Sequence, residues 1–494
     1  MQRVRRVTGT EWMDGIRLAQ KHWAAAPPRR RARLMGQLRR RIASGARELA
    51  EAVPTHLPGA LHRTVADTLV AEVLPLAEAC RFLEKEAAWI LRRKVLGAEG
   101  RPLWLGGVAA EVERAPWGVV LVLAAANYPL LLAGVQTLQA LAAGNAVLWK
   151  PAPGTETVAF ALRMLLIESG LAPELLTVLD SSVETGMDAI AAGVDYAVLT
   201  GSAETGRAVL HQLAETLTPA AMELSGCDAV FVLPGADFSR ALAALAFGLR
   251  FNGSFTCMAP RRVFLVGLTE GQAAEFETNL AAALMDLEPV PVTAKSFAQL
   301  KELIAGARGQ GADLLLNGAR GGLTAQTAAQ ARATLICRAT PALKAMQADV
   351  FAPILSLMRA ANVLEALAAN SACPYALTAA IFGPEREARK LASQLRVGNV
   401  TINDIIAPTA DPRTPFGGRG RSGFGVTRGA EGLLAMTTPR TLHVQRSSSK
   451  RAYAPTGEAH IGLFAGLAEV LHGGTLRARL DGLKRLIRAV KHLR

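Results

Sequence analysis

Residues 117–150 read WGVVLVLAAANYPLLLAGVQTLQALAAGNAVLWK, and no charged side chain occurs before the final lysine. The stretch exceeds the roughly 20 apolar residues that a membrane-spanning helix needs. Polar residues, glycines and a proline interrupt it, however: Asn127, Pro129, Gly134, Gln136, Gln139, Gly144 and Asn145. We therefore predict a strand over 119–124, a helix over 130–143 and a second strand over 146–149, all buried in one α/β core.

The alternation of short apolar runs with helical stretches continues along the chain. Runs of strand length occur at residues 175–179, 195–199, 229–233 and 263–266. Strands that alternate with helices in this way indicate βαβ units and a mainly parallel sheet. Because the pattern restarts after residue 225, we expect two Rossmann-like α/β domains. Residues 10–95 precede this pattern, and we predict a helical region there.

The composition excludes several classes of protein. The chain has 494 residues, of which 50% are hydrophobic and 19% are charged, so it can bury a large core and is not mainly disordered. Its five cysteines are widely spaced, which indicates neither a disulfide framework nor a CxxC metal site. The N-terminus is basic but lacks the apolar segment of a signal peptide, so a cytoplasmic location is expected.

The formal net charge of +14 is concentrated at the two ends of the chain. Residues 1–50 carry a net charge of +10 and residues 442–494 one of +7, so the part between them is slightly negative. Nucleic-acid enzymes more often place basic residues along a working groove, so nucleic acid is not an expected partner. Basic ends favour either peripheral contact with an anionic membrane or a solvated cationic face.

The C-terminal residues predict a basic amphipathic helix. Apolar residues fall there at helical spacing, at Leu476, Leu480, Leu483, Ile487, Val490 and Leu493. A helix of this kind can lie in a membrane interface, dock on its own protein or bind a partner.

Three side chains are candidates for chemistry. Cys257 lies in a segment of Asn, Gly, Ser and Thr residues, which suits an exposed nucleophilic thiol as well as a small core residue. Glu223 follows an apolar run and could be either a paired structural carboxylate or a general base. Asn127 ends a predicted strand, where its amide could donate to an oxyanion or form a turn.

Two further segments could hold a phosphorylated cofactor. Thr200-Gly-Ser-Ala-Glu-Thr-Gly206 follows a predicted strand and opens a helix, whose free N–H groups attract phosphate. Lys150 ends another strand and could contact ribose hydroxyls. Gly418–Gly423 matches GxGxxG but follows a turn rather than a strand, so we reject it as a dinucleotide fingerprint. The sequence has no metal-ligand motif, and no metal site is expected.

Together these segments resemble the aldehyde dehydrogenase superfamily over residues 10–445. The resemblance rests on the order and spacing of ten motifs: Pro116-Trp-Gly-Val-Val, Asn127-Tyr-Pro, Ala143-Gly-Asn-Ala-Val, Lys150-Pro, Thr200-Gly-Ser, Glu223-Leu-Ser-Gly, Thr256-Cys257, Val350-Phe-Ala-Pro, Pro374-Tyr-Ala-Leu and Pro415-Phe-Gly-Gly. The joint match is more specific than any single motif.

The resemblance implies NAD(P)-dependent oxidation of a small-molecule aldehyde to the carboxylic acid. It implies that the Cys257 thiolate attacks the carbonyl, while Asn127 and the Cys257 main-chain N–H stabilise the oxyanion. Glu223 would then activate the water that hydrolyses the thioester. A further set of residues is implied to bind NAD or NADP: Lys150, Gly201, Ser202, Gly206, Asp349 and Phe351.

Several positions depart from the family's pattern: Ala126, Pro153, Ser225, Cys227, Asp349 and Ala352. Pro153 stands where the family has Glu, which removes a charge that would repel a 2′-phosphate, so NADP is expected beside NAD. Ala126 replaces a Trp and is expected to open the pocket to bulky apolar aldehydes. Asp349 is one methylene shorter than the usual Glu.

The resemblance also implies a domain layout. Residues 1–97 and 117–225 would bind NAD(P), and residues 226–437 would form the catalytic domain. Residues 98–116 and 438–447 would be bridging strands of a homodimer, and residues 448–494 a basic C-terminal extension. Two alternatives stay open: a CoA-acylating aldehyde dehydrogenase, against which Glu223 argues, and a degenerate member that acts as a membrane-associated binding protein.

Overall fold

The computed structural model describes residues 11–57, 61–316, 328–448, 453 and 455–492. They form two compact units. The first contains the described residues up to Arg93 together with Glu113–Arg440, and the second contains Lys94–Val112 together with the described residues from Thr441 onward.

The helices of the first unit are α1 (Glu11–Ala25), α2 (Pro28–Ser44), α3 (Ala46–Glu51), α4 (Val65–Thr68), α5 (Leu74–Ile90), α6 (Leu131–Ala143), α7 (Glu156–Glu168), α8 (Val183–Ala191), α9 (Ala203–Thr216), α10 (Phe238–Arg250), α11 (Glu270–Met285), α12 (Ala294–Gly309), α13 (Val363–Ser371), α14 (Glu385–Ala392) and α15 (Gly429–Ala435). A π-helical turn, Leu69–Val73, joins α4 to α5.

The strands are β1 (His56–Leu57), β2 (Leu61–His62), β3 (Lys94–Leu96), β4 (Val108–Pro116), β5 (Val119–Leu123), β6 (Ala146–Lys150), β7 (Leu176–Val178), β8 (Tyr196–Gly201), β9 (Ala220–Leu224), β10 (Asp228–Val232), β11 (Pro260–Val266), β12 (Val290–Thr293), β13 (Asp313–Leu316), β14 (Ala328–Ala331), β15 (Thr334–Cys337), β16 (Ile354–Ala360), β17 (Tyr375–Ala376), β18 (Thr378–Phe382), β19 (Asn399–Ile402), β20 (Arg419–Gly420), β21 (Gly423–Phe424) and β22 (Thr437–Gln445).

The first large sheet has six strands in the order β21-β9-β8-β5-β6-β7. β9, β8, β5, β6 and β7 run parallel, and β21 pairs antiparallel with β9. Every residue of β5 and of α6 is buried, which explains why residues 117–149 carry no charge. α6 ends at Gly144, whose φ of +104° lies in the left-handed region that favours glycine. The strand-helix-strand prediction for this stretch is confirmed.

The second large sheet has seven strands in the order β13-β15-β16-β11-β10-β18-β19. All neighbouring pairs run parallel except β13 with β15. Two parallel sheets covered by helices confirm the α/β prediction, whereas the predicted domain boundaries stay predictions. One feature of residues 10–95 was missed, because the β1–β2 hairpin interrupts the predicted helical region.

The second unit contains β3 and parts of β4 and β22, which form a three-stranded sheet in the order β22-β4-β3. It also contains two helices, α16 (Ile461–His472) and α17 (Leu476–His492). The amphipathic helix predicted from residue 476 is therefore present, although Leu493 lies outside the described residues. Within the described ranges, no helix is both long and apolar enough to cross a bilayer.

Candidate active site

The carboxyl ends of the first sheet's parallel strands meet at one edge, where α/β proteins build their sites. Glu223 lies there in β9, paired with Thr200 of β8 and Gly423 of β21. Glu223 is buried, and its Oε2 accepts a hydrogen bond of 3.0 Å from Thr427 Oγ1. Its Oε1 is also buried and has no hydrogen-bond partner within the described part of the chain.

Burial raises the pKa of Glu223, whereas the positive charge of Arg428 and the hydrogen bond from Thr427 oppose that rise. Arg428 is itself buried; its Nη1 donates to Thr409 O at 2.8 Å, and its guanidinium lies 4.9 Å from the Phe416 ring centroid. The ionisation of Glu223 is therefore opposed by burial and favoured by Arg428, Thr427 and Gln136.

Cys257 lies in the loop between α10 and β11. Asn252, Gly253 and Ser254 precede it with φ values of +52°, +56° and +61°, so three successive residues adopt the left-handed conformation. Arg261 holds this turn, because its Nη1 donates to Ser254 Oγ at 2.9 Å and its Nη2 to Ser254 O at 2.8 Å. The loop is therefore fixed by a buried guanidinium rather than by regular secondary structure.

The Cys257 residue is partly exposed, but its thiol is a weak acid. Burial raises the pKa of the thiol most, the carboxylates of Glu223 and Asp228 raise it further, and Arg428 lowers it. At neutral pH the resting thiol therefore keeps its proton. Gly226 lets the nucleophile loop approach β9, since a Cβ there would lie 2.9 Å from Cys257 O.

Asn127 is tied to the nucleophile loop by two contacts. Asn252 Nδ2 donates to Asn127 O at 3.2 Å, and the hydroxyls of Tyr128 and Thr256 lie 2.8 Å apart. The main chain at Asn127 is therefore linked to the loop that carries Cys257, although 130 residues of sequence separate the two residues.

Sequence reasoning missed Arg63 and Glu72, which link the loop that carries Asn127 to the loop that carries Cys257. Arg63 and Glu72 form a buried ion pair. Arg63 Nη2 also donates to Asn127 O at 2.8 Å and to Asn252 Oδ1 at 2.5 Å. Glu72 Oε2 accepts hydrogen bonds from the main-chain N–H groups of Leu130 and Leu131 at 2.8 and 2.9 Å. The available signal was a glutamate in the apolar run Leu69–Leu76, where a charge on a packed face is unexpected.

Two cavities meet at the thiol, and Cys257 and Glu223 line both of them. The first has a volume of about 540 Å³, and Asn127, Lys150, Ser202 and Phe351 are part of its wall. The second has a volume of about 860 Å³. Its wall is largely apolar and includes Val70, Leu131, Leu132, Phe247, Phe251, Met258, Val290 and Ile406.

The first cavity fits a dinucleotide. The N-terminus of α9 lies at its wall, with Ser202 as the capping residue, and helix N-termini attract phosphate. Gly201 also lines this cavity, and a Cβ there would make only ordinary contacts, the nearest at 3.6 Å from Leu199 Cδ1. Lys150 adds a cation, although burial lowers its pKa. Phe351 packs edge-on against Phe255, with 4.7 Å between the ring centroids.

The remaining predicted residues occupy different surroundings. A Cβ on Gly206 would lie 2.9 Å from Leu224 Cδ1, so this glycine allows α9 to pack on β9. Asp349 lies beside Arg261 and Ser225, and burial raises the pKa of its carboxyl. Ala126 lies in the wall of the first cavity, together with Asn127 and Cys257, and its predicted opening of the substrate pocket stays a prediction. The described residues contain no cluster of three or more His, Cys, Asp or Glu that could hold a metal ion.

Comparison with known proteins agrees with this geometry. The model of the aldehyde dehydrogenase family matches residues 9–442. The 4,4'-diapolycopene aldehyde oxidase of Methylomonas sp. is 29% identical over 432 residues, which cover 86% of this chain and 79% of the relative. The 4,4'-diaponeurosporen-aldehyde dehydrogenase of Staphylococcus aureus is 28% identical over 335 residues, which cover 66% and 71%.

Among solved structures, the NADP-dependent glyceraldehyde-3-phosphate dehydrogenase of Bacillus halodurans complexed with NADP is 25% identical. It superposes with a TM-score of 0.77 over 89% of this chain and 92% of the other. None of these three names mentions coenzyme A or a non-catalytic role, so the two alternatives gain no support. The chain is therefore a member of the aldehyde dehydrogenase family, an oxidoreductase that acts on aldehydes with NAD or NADP.

Proposed function

We propose that the protein converts a hydrophobic aldehyde, water and NAD(P)⁺ into the carboxylic acid, NAD(P)H and a proton, with Cys257 as nucleophile, Asn127 as oxyanion donor and Glu223 as base. The observation that carries the proposal is the position of Cys257 and Glu223 at the meeting point of the two cavities, with Asn127 in the wall of the first. One cavity can then hold the cofactor and the other the apolar part of the aldehyde.

In the first step Cys257 must lose its proton, because burial keeps the resting thiol neutral. The partly exposed thiol gives this proton to solvent. The sulfur then forms a bond to the aldehyde carbon, and the carbonyl oxygen becomes an alkoxide. Asn127 Nδ2 and the Cys257 N–H donate hydrogen bonds to that oxygen, where the developing charge needs them most.

The cofactor, when bound, supplies the acceptor for the hydride that leaves the tetrahedral carbon. The residues proposed to hold it are four that line the first cavity, Lys150, Gly201, Ser202 and Phe351. Gly206 is proposed to act indirectly, by letting α9 pack on β9, and Asp349 stays a predicted contact outside the cavity wall. Loss of the hydride leaves an acyl thioester on Cys257. Glu223 then takes a proton from water as the water attacks, the carbon–sulfur bond breaks, and the proton returns to the departing sulfur.

We expect both nicotinamide cofactors to be accepted. Pro153 is exposed and carries no charge that would repel a 2′-phosphate, whereas Lys150 offers a cation in the wall of the first cavity. The substrate is proposed to be a long-chain or isoprenoid aldehyde. The apolar wall of the second cavity supports this, as do the names of the two relatives, which refer to 4,4'-diapolycopene and 4,4'-diaponeurosporen aldehydes.

The test is NAD(P)H production by the purified protein with short, aromatic and long-chain aldehydes and each cofactor. The proposal predicts that kcat/KM rises with the apolar length of the aldehyde. It also predicts that Cys257→Ala abolishes activity, whereas Cys337→Ala, which removes a buried thiol of β15 in the second sheet, retains it. Aldehyde-dependent NAD(P)H formation by Cys257→Ala would refute the mechanism, and a preference for short aldehydes would refute only the substrate class.

The protein is further proposed to act in the cytoplasm as a homodimer. The second unit supports this, because its three-stranded sheet and the turn between β3 and β4 expose large apolar side chains of a kind that interfaces bury: Val95, Leu96, Leu103, Trp104, Leu442 and Val444. The basic ends of the chain support a peripheral contact with an anionic membrane.

A further inference from the structure

α16 and α17 form a closely packed helical pair. A Cβ on Gly466 would lie 2.6 Å from Leu486 N, and one on Gly482 would lie 2.5 Å from Glu469 Cβ, so the helices touch through these two glycines. A Cβ on Gly462 would likewise lie 3.3 Å from Ala489 Cβ. The face of α17 that carries Gly482, Leu486 and Ala489 is therefore committed to α16, and the opposite face must point away from it.

A continuous apolar row runs along α17, to one side of the face that packs on α16. Its members are Leu476, Leu480, Leu483, Ile487 and Val490, which are 76%, 50%, 43%, 49% and 40% exposed. The spacing i, i+4, i+7, i+11, i+14 places all five along one line of the helix surface. Rows of this kind are normally buried, yet the described residues leave this one uncovered.

A second row runs parallel to the apolar row about 100° farther around the helix, because each of its members follows an apolar residue by one position. It consists of Arg477, Asp481, Lys484, Arg488 and Lys491. Asp481 is paired with Lys484 at 3.4 Å, and the other three side chains are cations exposed to solvent. Over its whole length α17 has six Arg and Lys residues and a single acidic residue.

From these two rows we infer that α17 docks in the interface of an anionic lipid bilayer. The apolar row enters the acyl region, and the cations contact the phosphates of the headgroups. A second copy of α17 is a poorer occupant, since its own cationic row would be brought close to this one. The inference goes beyond the aldehyde chemistry and does not depend on which aldehyde is oxidised.

The N-terminal basic region offers a contrast. α2 exposes Arg29, Arg30 and Arg33, but the large apolar residues of α2 are buried in the core. Its exposed surface is therefore cationic without an apolar row beside it. A helix of this kind can be attracted to an anionic surface, but it exposes no apolar row that could enter the bilayer. Removing its arginines therefore tests whether surface charge by itself explains vesicle binding.

The experiment is co-sedimentation of the full chain with phosphatidylcholine vesicles that contain or lack phosphatidylglycerol, at low and high salt. We expect binding only to the vesicles that contain phosphatidylglycerol, and weaker binding at high salt. The variant Lys484→Gln/Arg488→Gln/Lys491→Gln should lower the partition coefficient roughly a hundredfold, because each cation near such a surface is worth about fivefold. Leu483→Asp/Ile487→Asp should also lose binding, whereas Arg29→Gln/Arg30→Gln/Arg33→Gln should retain it.

All variants should keep the circular dichroism spectrum and the NAD(P)H production of the unchanged chain with a short soluble aldehyde, so that lost vesicle binding is separated from lost folding or lost catalysis. Equal binding to vesicles without phosphatidylglycerol, or equal loss in the α2 variant, would overturn the inference. It would also be overturned if Leu483→Asp/Ile487→Asp dissociated an oligomer and left vesicle binding intact, because the row would then join two copies of the chain.

Discussion

Replacing Arg63 by methionine tests whether the geometry of the site depends on a residue that lies outside it. The side chain of Arg63 is 2% exposed and that of Glu72 is completely buried. Arg63→Met keeps an unbranched apolar stem and removes the guanidinium. It therefore breaks the ion pair with Glu72 and the hydrogen bonds to Asn127 O and Asn252 Oδ1.

We expect Arg63→Met to lose both folding free energy and kcat. Removing one partner of a buried ion pair costs about 3–5 kcal/mol of folding free energy, because the other charge stays buried. Burial already raises the pKa of Glu72 and Arg63 opposes that rise, so Glu72 will take up a proton in the variant and limit the loss. A shift of about 1 Å between Asn127 and Cys257 would lower kcat roughly a hundredfold.

A matched control separates the loss of folding free energy from the loss of kcat. Arg31 is also a buried arginine of the first unit, and its Nε donates to Ala142 O at 2.9 Å, but it contacts neither loop of the site. We expect Arg31→Met to lower the denaturation midpoint and leave kcat unchanged. The double variant Arg63→Met/Glu72→Gln should recover part of the stability that Arg63→Met loses. Its kcat should stay as low as that of Arg63→Met.

The assays are urea denaturation and steady-state NAD(P)H production at a temperature where every variant is folded. If Arg63→Met lost stability but kept the kcat of the unchanged chain, the ion pair would be only structural. If Arg31→Met lost kcat to the same extent, the effect would be a general consequence of destabilisation. Either result would refute the reasoning.

Three further predictions concern charge at the site. Arg428→Met removes a cation that lowers the pKa of both Glu223 and Cys257, so the acid limb of the kcat/KM profile should move to higher pH, and an unmoved limb would contradict this. Burial raises the pKa of Asp228 to about 7. Folded Asp228 thus holds its proton where the unfolded residue, with a pKa of about 4, has lost it, and stability should fall by up to about 4 kcal/mol as pH rises through that window. Asp228→Asn should lack this fall, measured by urea denaturation on both sides of the window. Asn127→Ala should lower kcat by about 10²–10³-fold, the usual effect of removing one oxyanion donor, and a smaller loss would assign the oxyanion to other donors.

The elements whose bounds the sequence marks most clearly are those that are buried along nearly their whole length. β5, α6 and β6 are buried on all sides, so their residues form charge-free runs separated by Pro, Gly and Asn, and both ends of each element are marked. The β1–β2 hairpin has two residues in each strand, too few to produce a period that differs from the helices around it.

The site could be predicted only in part. Glu223 and Asn127 were singled out because they follow apolar runs, and Cys257 because it lies among small polar residues; both patterns are visible in one dimension. Arg63 was not found, since it is one of many arginines near the N-terminus and its role comes from contacts with residues 64 and 189 positions away. That Ala126 opens the substrate pocket stays a prediction, because its cavity also contains Cys257 and Glu223.

The most direct test of the central claim is a rapid-mixing experiment with Glu223→Gln, which keeps an acceptor oxygen for Thr427 but has no basic carboxylate. The account predicts one burst of NAD(P)H per Cys257, followed by almost no turnover, and an acyl group on Cys257 that mass spectrometry of the intact chain detects. Steady turnover close to that of the unchanged chain, with no acyl group on the thiol, would contradict it.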